Sequence, residues 1–140
     1  MHWKEYQNNA ASFFKGLGLS ASVERGVDGA RGTHEIDVFV EGKAYGVPFI
    51  WVVECKAWKS NIPKEKVMAL SSIVQDVGAD RGFLLSEIGF QSGAIKATKN
   101  SNITLTSLED LRFNIGADIE ELTIASFVWR STRASLKNAP

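Results

Sequence analysis

The sequence predicts an α/β domain, a mixed β-sheet of about five strands flanked by helices. Three observations carry this expectation. The segment VPFIWVVECKAW is apolar almost throughout, as in a strand buried in the middle of a sheet. It follows another strand-like segment, HEIDVFVEG, across Tyr45-Gly46, so the two make an antiparallel hairpin. Beyond them the pattern runs helix, strand, helix, strand, and that alternation implies a parallel portion. Antiparallel and parallel pairs together make the sheet mixed.

The elements follow in order. Residues 3 to 16 carry Trp3, Tyr6, Ala10, Phe13 and Phe14 at helical spacing, and Gly16-Leu17-Gly18 ends the helix. A short strand is expected around Leu19 to Val23, then a turn at GVDGARG, then the two hairpin strands. Pro63 opens a helix whose Val67, Leu70, Val74 and Val77 form one apolar stripe, ending near Gly78. RGFLLSE reads as a strand, FQSGAIKATKN as a short helix, NITLTS as a strand and LEDLRF as a helical turn. Residues 113–140 are expected to be a C-terminal extension, helical over 117 to 137, beyond a core of residues 1–112. It would add a C-terminal helix or serve as a linker to a further domain.

Composition narrows the function. At 140 residues the chain is long enough for one domain with a hydrophobic core. Sixteen basic residues balance sixteen acidic ones, so nucleic-acid binding would have to come from a local patch rather than a global field. The lone cysteine, Cys55, excludes an internal disulfide framework and a multi-cysteine zinc site. This fits a reducing cytoplasm. The polar start MHWKEYQNN has no apolar signal-peptide core, and no apolar run approaches the roughly 18 residues of a membrane span.

The chemistry gathers where the apolar strand ends. Side chains on a strand alternate faces, so Glu54 and Lys56 share one face. On the preceding strand the same rule groups Glu35, Asp37 and Phe39 against Ile36, Val38 and Val40. With the hairpin turning at Tyr45-Gly46, position 37 falls opposite position 54, and Phe39 opposite Val52. Directly paired residues have Cβ atoms about 5 Å apart. Two adjacent carboxylates repel, and a divalent cation relieves that repulsion. Mg²⁺ takes one or two carboxylates and leaves its other positions to water or phosphate. The backbone carbonyl of Cys55 could add an oxygen ligand, while its thiol should pack on the opposite face. Against this stands the reading of Asp37, Glu54 and Lys56 as a surface ion-pair cluster across two strands, which would be energetically almost neutral.

Asp37, sixteen intervening residues and then Glu54-Cys55-Lys56 resembles the PD-(D/E)xK nuclease superfamily, and more narrowly its Mrr-like restriction endonuclease branch. HEIDVFV, WVVECKAW, the PKEKV helix, GADRGFLLSEIGFQSGA and NITLTSLEDL follow that branch's order from about residue 6 to 112. The resemblance implies a restriction-endonuclease-like sheet and Mg²⁺-dependent hydrolysis of DNA phosphodiesters, with Mn²⁺ able to substitute. Asp37 and Glu54 would then bind the metal, and Lys56 would assist the attacking water. Many relatives place a glutamate on the first helix. Here Gln7 stands at or beside that place, with Glu5 half a turn away.

Other residues are secondary candidates. His34 and Glu35 precede Asp37 and could support the site, although a histidine at a strand start more often bonds a neighbour. Gln75 on the second long helix could approach it, although a solvated position is the plainer expectation. Arg31, Lys59, Lys64 and Lys66 are placed to meet phosphates, though loop lysines often only solubilise. Arg130, Arg133 and Lys137 share a helical face in the extension. The expectation is a restriction or defence-type endonuclease acting on double-stranded DNA, a two-fold homodimer if it cuts both strands, working with a recognition or sensor domain. A junction resolvase is the near alternative in the same class. In another class stands a catalytically silent domain that binds nucleic acid or protein.

Overall fold

The computed structural model describes residues 2–114. Their elements run α1 (Trp3–Gly16), β1 (Ser20–Asp28), β2 (Thr33–Ala44), β3 (Val47–Cys55), α2 (Lys64–Val77), β4 (Arg81–Leu85), α3 (Ser92–Ala97) and β5 (Ile103–Thr106), with residues 108–114 helical. The chain divides into two units, Met1–Leu108 and Glu109–Pro140. The first holds every element from α1 to β5. The expected helix over 117 to 137, with Arg130, Arg133 and Lys137, lies outside the described residues.

The five strands form one sheet in the order β1-β2-β3-β4-β5. β1, β2 and β3 are antiparallel, whereas β4 and β5 continue parallel to β3, so the sheet is mixed. The β2–β3 hairpin turns at Tyr45 and Gly46, both with positive φ, and Ala44 pairs with Val47. Phe39 lies opposite Val52 and Val38 opposite Val53, the register the turn predicts.

Helices cover both faces. Trp51 packs edge-on against Phe14 of α1, while its neighbour Val52 joins a core of Val67, Leu70 and Val74 from α2 with Leu84 and Ile103. Successive strand residues face opposite sides, so α1 and α2 lie on opposite faces. α2 ends where Gly78 takes a left-handed conformation (φ 70°), and its N–H reaches back to the carbonyls of Val74 and Gln75.

Several sequence expectations need correction. β1 is longer than Leu19 to Val23, because Gly26, Val27 and Asp28 pair with Glu35, His34 and Thr33, leaving a turn of only 29–32. β3 stops at Cys55, so Lys56, Ala57 and Trp58 belong to the loop that follows. In α1 the buried side is Tyr6, Gln7, Ala10, Ala11 and Phe14, and Trp3 stays exposed. Strict alternation also fails on β2. Ile36 and Phe39 belong to one core cluster, where the period of two would oppose them. Pairing with β1 runs through Val23–Val38 and resumes at Arg25–Ile36, passing over Glu24 and Asp37, and Glu24 sits at φ 48°. The ladder lapses there, and such a lapse re-aims side chains on both strands.

Candidate active site

The lapse on β2 frees Asp37 to turn toward β3. Its Oδ2 accepts the Cys55 backbone N–H at 2.9 Å, so a carboxylate takes the role of a backbone acceptor beside the end of β3. Glu54 and Lys56 stand on either side of that amide, joined by an ion pair of 3.1 Å. Lys56 is held in turn by its backbone N–H, which donates to the Leu85 carbonyl at 2.9 Å. From the α1 side Gln7 bonds Asp37 through its side-chain amide. Asp37, Glu54, Cys55, Lys56 and Gln7 thus line one cavity of about 360 Å³, completed by Trp3, Ala57 and Trp58.

The electrostatics follow from this crowding. Burial, with the Glu54 charge adding to it, pushes the Asp37 carboxyl up to about 6, against the opposing pull of the Cys55 N–H, Lys56 and Gln7. Burial, then the charges of Asp37 and Glu54, raises the Cys55 thiol, which stays protonated and packs as a small apolar group. Behind the site the Tyr6 hydroxyl donates to Glu87, which also accepts the Leu108 N–H at 2.9 Å. Burial and Glu87 raise the phenol well above its ordinary range.

The donor set suits a hard divalent cation. Two carboxylates are at hand, the Glu54 charge helping to raise the Asp37 carboxyl, and the Gln7 Oε1 is buried with no hydrogen-bond partner. An orphaned amide oxygen beside such a pair is a natural ligand for the ion or its water. Among the described residues no group of three or more His, Cys, Asp or Glu side chains could hold a metal, so oxygen from Gln7 and backbone would have to complete the shell.

The other candidates lie elsewhere or at the rim. His34, Arg31 and Gln75 line a separate cavity with Ser72 and Asp76. There His34 Nε2 meets Asp76 Oδ2 at 2.7 Å, and Arg31 donates its backbone N–H to Asp76 Oδ1 at 2.8 Å. Gly29 passes so close that a Cβ there would come within 2.3 Å of Asp76 Oδ2. Glu5 and Glu35 are exposed. Lys59 lines a smaller adjoining cavity with Tyr6, Lys56 and Trp58, Lys66 lies over the Trp58 ring, and Lys64 is exposed at the start of α2. Sequence reasoning passed over Asp76, Trp3 and Trp58 as site residues. Only Trp58 left a legible signal, an aromatic set among lysines.

Residues 1–113 match the Mrr_cat family model, described as restriction endonuclease. No curated protein matches the sequence. Among solved structures, the chain is similar to one titled protein of unknown function AF1548, at 21% identity and a TM-score of 0.62 over 73% of this chain and 57% of that one. It is also similar to the DNA modification-dependent restriction endonuclease AspBHI (15% identity, TM-score 0.48, 76% of this chain and 31% of that one). A third is MspJI restriction endonuclease in complex with a 27-mer oligonucleotide (15%, TM-score 0.47, 71% and 23%). The chain therefore spans 57% or less of the length of each. At such identities the AF1548 likeness concerns the fold alone. The family match is broader, since it embraces α1 through β5 and every residue of the cavity just described, and on it the chain belongs to the restriction endonuclease family described by Mrr_cat.

Proposed function

We propose that this chain is a divalent-metal-dependent endonuclease that hydrolyses DNA phosphodiester bonds, with Asp37, Glu54 and Lys56 as its catalytic residues. The observation that carries the reading is the shared cavity of Asp37, Glu54 and Lys56, with the unpartnered Gln7 Oε1 beside them. Asp37 and Glu54 would hold the cation, helped by the Cys55 carbonyl and Gln7. A bound Mg²⁺ or Mn²⁺ supplies neutralisation of the scissile phosphate and a more acidic water. Lys56, fixed by Glu54 and by its own backbone, orients the attacking water and offsets charge as it builds on phosphorus. The Cys55 N–H, bonded to Oδ2, holds the Asp37 carboxylate beside the end of β3. One site per chain cuts one strand, so a two-fold pair is the simplest assembly for cutting both strands of a duplex. A restriction or defence role, and a separate recognition domain, belong to the same proposal.

Supercoiled plasmid incubated with Mg²⁺ tests it. The wild type should nick or linearise the plasmid and stop in EDTA, and Lys56→Ala should be slower by about 10²-fold or more. DNA bound but left uncut by the wild type in both Mg²⁺ and Mn²⁺ would overturn the proposal in favour of a silent binding domain.

A further inference from the structure

The cavity that holds Asp37, Glu54 and Lys56 is also walled by two tryptophans from separate elements. Trp3 opens α1 and is 46% exposed, and Trp58 lies in the loop after β3 and is 39% exposed. Large indoles are mostly buried in folded proteins, so two left open around one cleft call for a ligand. Cations attend both rings. Lys4 Nζ lies 5.4 Å from the Trp3 centroid, and Lys66 and Lys56 lie 5.4 and 5.7 Å from that of Trp58. The stretch KAWKSNIPKEK, residues 56–66, carries four lysines against one glutamate, in a chain whose total charge is zero.

We infer that this site takes DNA whose bases are unstacked at the cut, either single-stranded or locally opened, with Trp58 and Trp3 as the platforms on which those bases stack. The inference rests on the nuclease reading and adds its substrate class. An aromatic face interleaved with lysines suits a nucleotide strand, base on ring and phosphate on ammonium. An intact duplex offers only groove edges and backbone, because each base face is covered by its neighbours. Indole has a single N–H to read an edge with, so an open ring face gains little there. An apolar protein partner fits poorly, since seating it would desolvate Lys56 and the carboxylates of Asp37 and Glu54 lining the same walls. A cavity of about 360 Å³ gives room for a base beside the phosphate.

Fluorescence anisotropy on the full chain tests this, in EDTA so that no strand is cut. The probes are a labelled oligothymidylate and a blunt duplex of equal length. The single strand should bind at least about 10-fold tighter than the duplex. Trp58→Ala should weaken single-strand binding by about 5- to 150-fold and duplex binding by less than about twofold. Trp3→Ala should act in the same direction, and Trp58→Phe should keep much of the affinity. Trp58→Leu, which keeps apolar bulk without the π face, serves in place of Trp58→Ala if that variant does not fold. Equal losses on both probes, or no single-strand preference in the wild type, would overturn the inference. Mg²⁺-dependent plasmid cleavage measured in parallel separates the two claims. Cleavage without single-strand preference removes the stacking site and leaves the nuclease, whereas a Trp58-dependent preference without cleavage supports the stacking site and removes the nuclease.

Discussion

Burial and the Glu54 charge push the Asp37 carboxyl from its ordinary 3.8 up to about 6, so the folded protein holds that proton more tightly than the unfolded chain does. A raised folded pKa contributes stability at low pH that is lost as pH rises through 6. At neutral pH Asp37 is therefore ionised at a cost, about 3 kcal/mol from the shift alone and nearer 1–2 after allowing for solvent at its exposed edge. Asp37→Asn should be more stable than wild type by about 1–2 kcal/mol at pH 8, with no difference below the unfolded value of 3.8. Urea denaturation at the two pH values checks this. Asp76 has the opposite sign. The His34 hydrogen bond first, and then the Arg31 backbone N–H, hold its carboxyl below the ordinary range, against the desolvation that raises it. Its contribution is present above 3.8 and lost as pH falls through its lower folded value. Asp76→Ala should lower the melting temperature at pH 7, by an amount that shrinks on acidification. The hairpin turn made the nearness of Asp37 to the end of β3 legible in the sequence, but the period of two did not, because alternation lapses at Asp37 and Lys56 lies beyond the strand. Asp76 was not legible, because its partners lie 42 and 45 residues away and nothing local announces them.

Among the elements, α1 and α2 were legible at both ends, since apolar spacing and terminal glycines mark them. The β2–β3 register was legible because a two-residue turn leaves little choice. β1 was read short because Gly26, Val27, Asp28 and Gly29 look like turn residues. The first three are strand residues only because β2 lies alongside, which propensity does not see. The hairpin turn itself is chemically unfavourable, since Tyr45 is fully exposed in the left-handed region at φ 54°. Tyr45→Asn should stabilise by about 0.5–1 kcal/mol, because asparagine tolerates that conformation better. Thermal unfolding checks it, and no change would mean the turn relaxes at no cost. On α2, Leu70 is buried against Val52, Leu84 and Ile103, and Leu70→Ala should cost about 2–5 kcal/mol.

At the scale of the molecule, ligand and fold are linked. A cation that binds only the native site stabilises the whole chain by about 2.7 kcal/mol at a hundredfold excess over its dissociation constant. Mg²⁺ or Mn²⁺ should therefore raise the melting temperature of the wild type and leave Asp37→Asn unmoved, as scanning fluorimetry would record. Among the described residues no helix is long and apolar enough to cross a membrane. The sheet ends on one side in β1, a nine-residue strand at the edge. A long, straight edge of that kind invites a strand from another molecule to add itself. The positive φ of Glu24 interrupts the ladder beside Asp37, and an irregularity of that kind on an edge strand is one way such an edge is kept from pairing with another chain. A substitution at Glu24 that restored regular pairing should therefore both shift Asp37 on β2 and leave a straighter edge on β1, with more aggregation in light scattering as the measurable result.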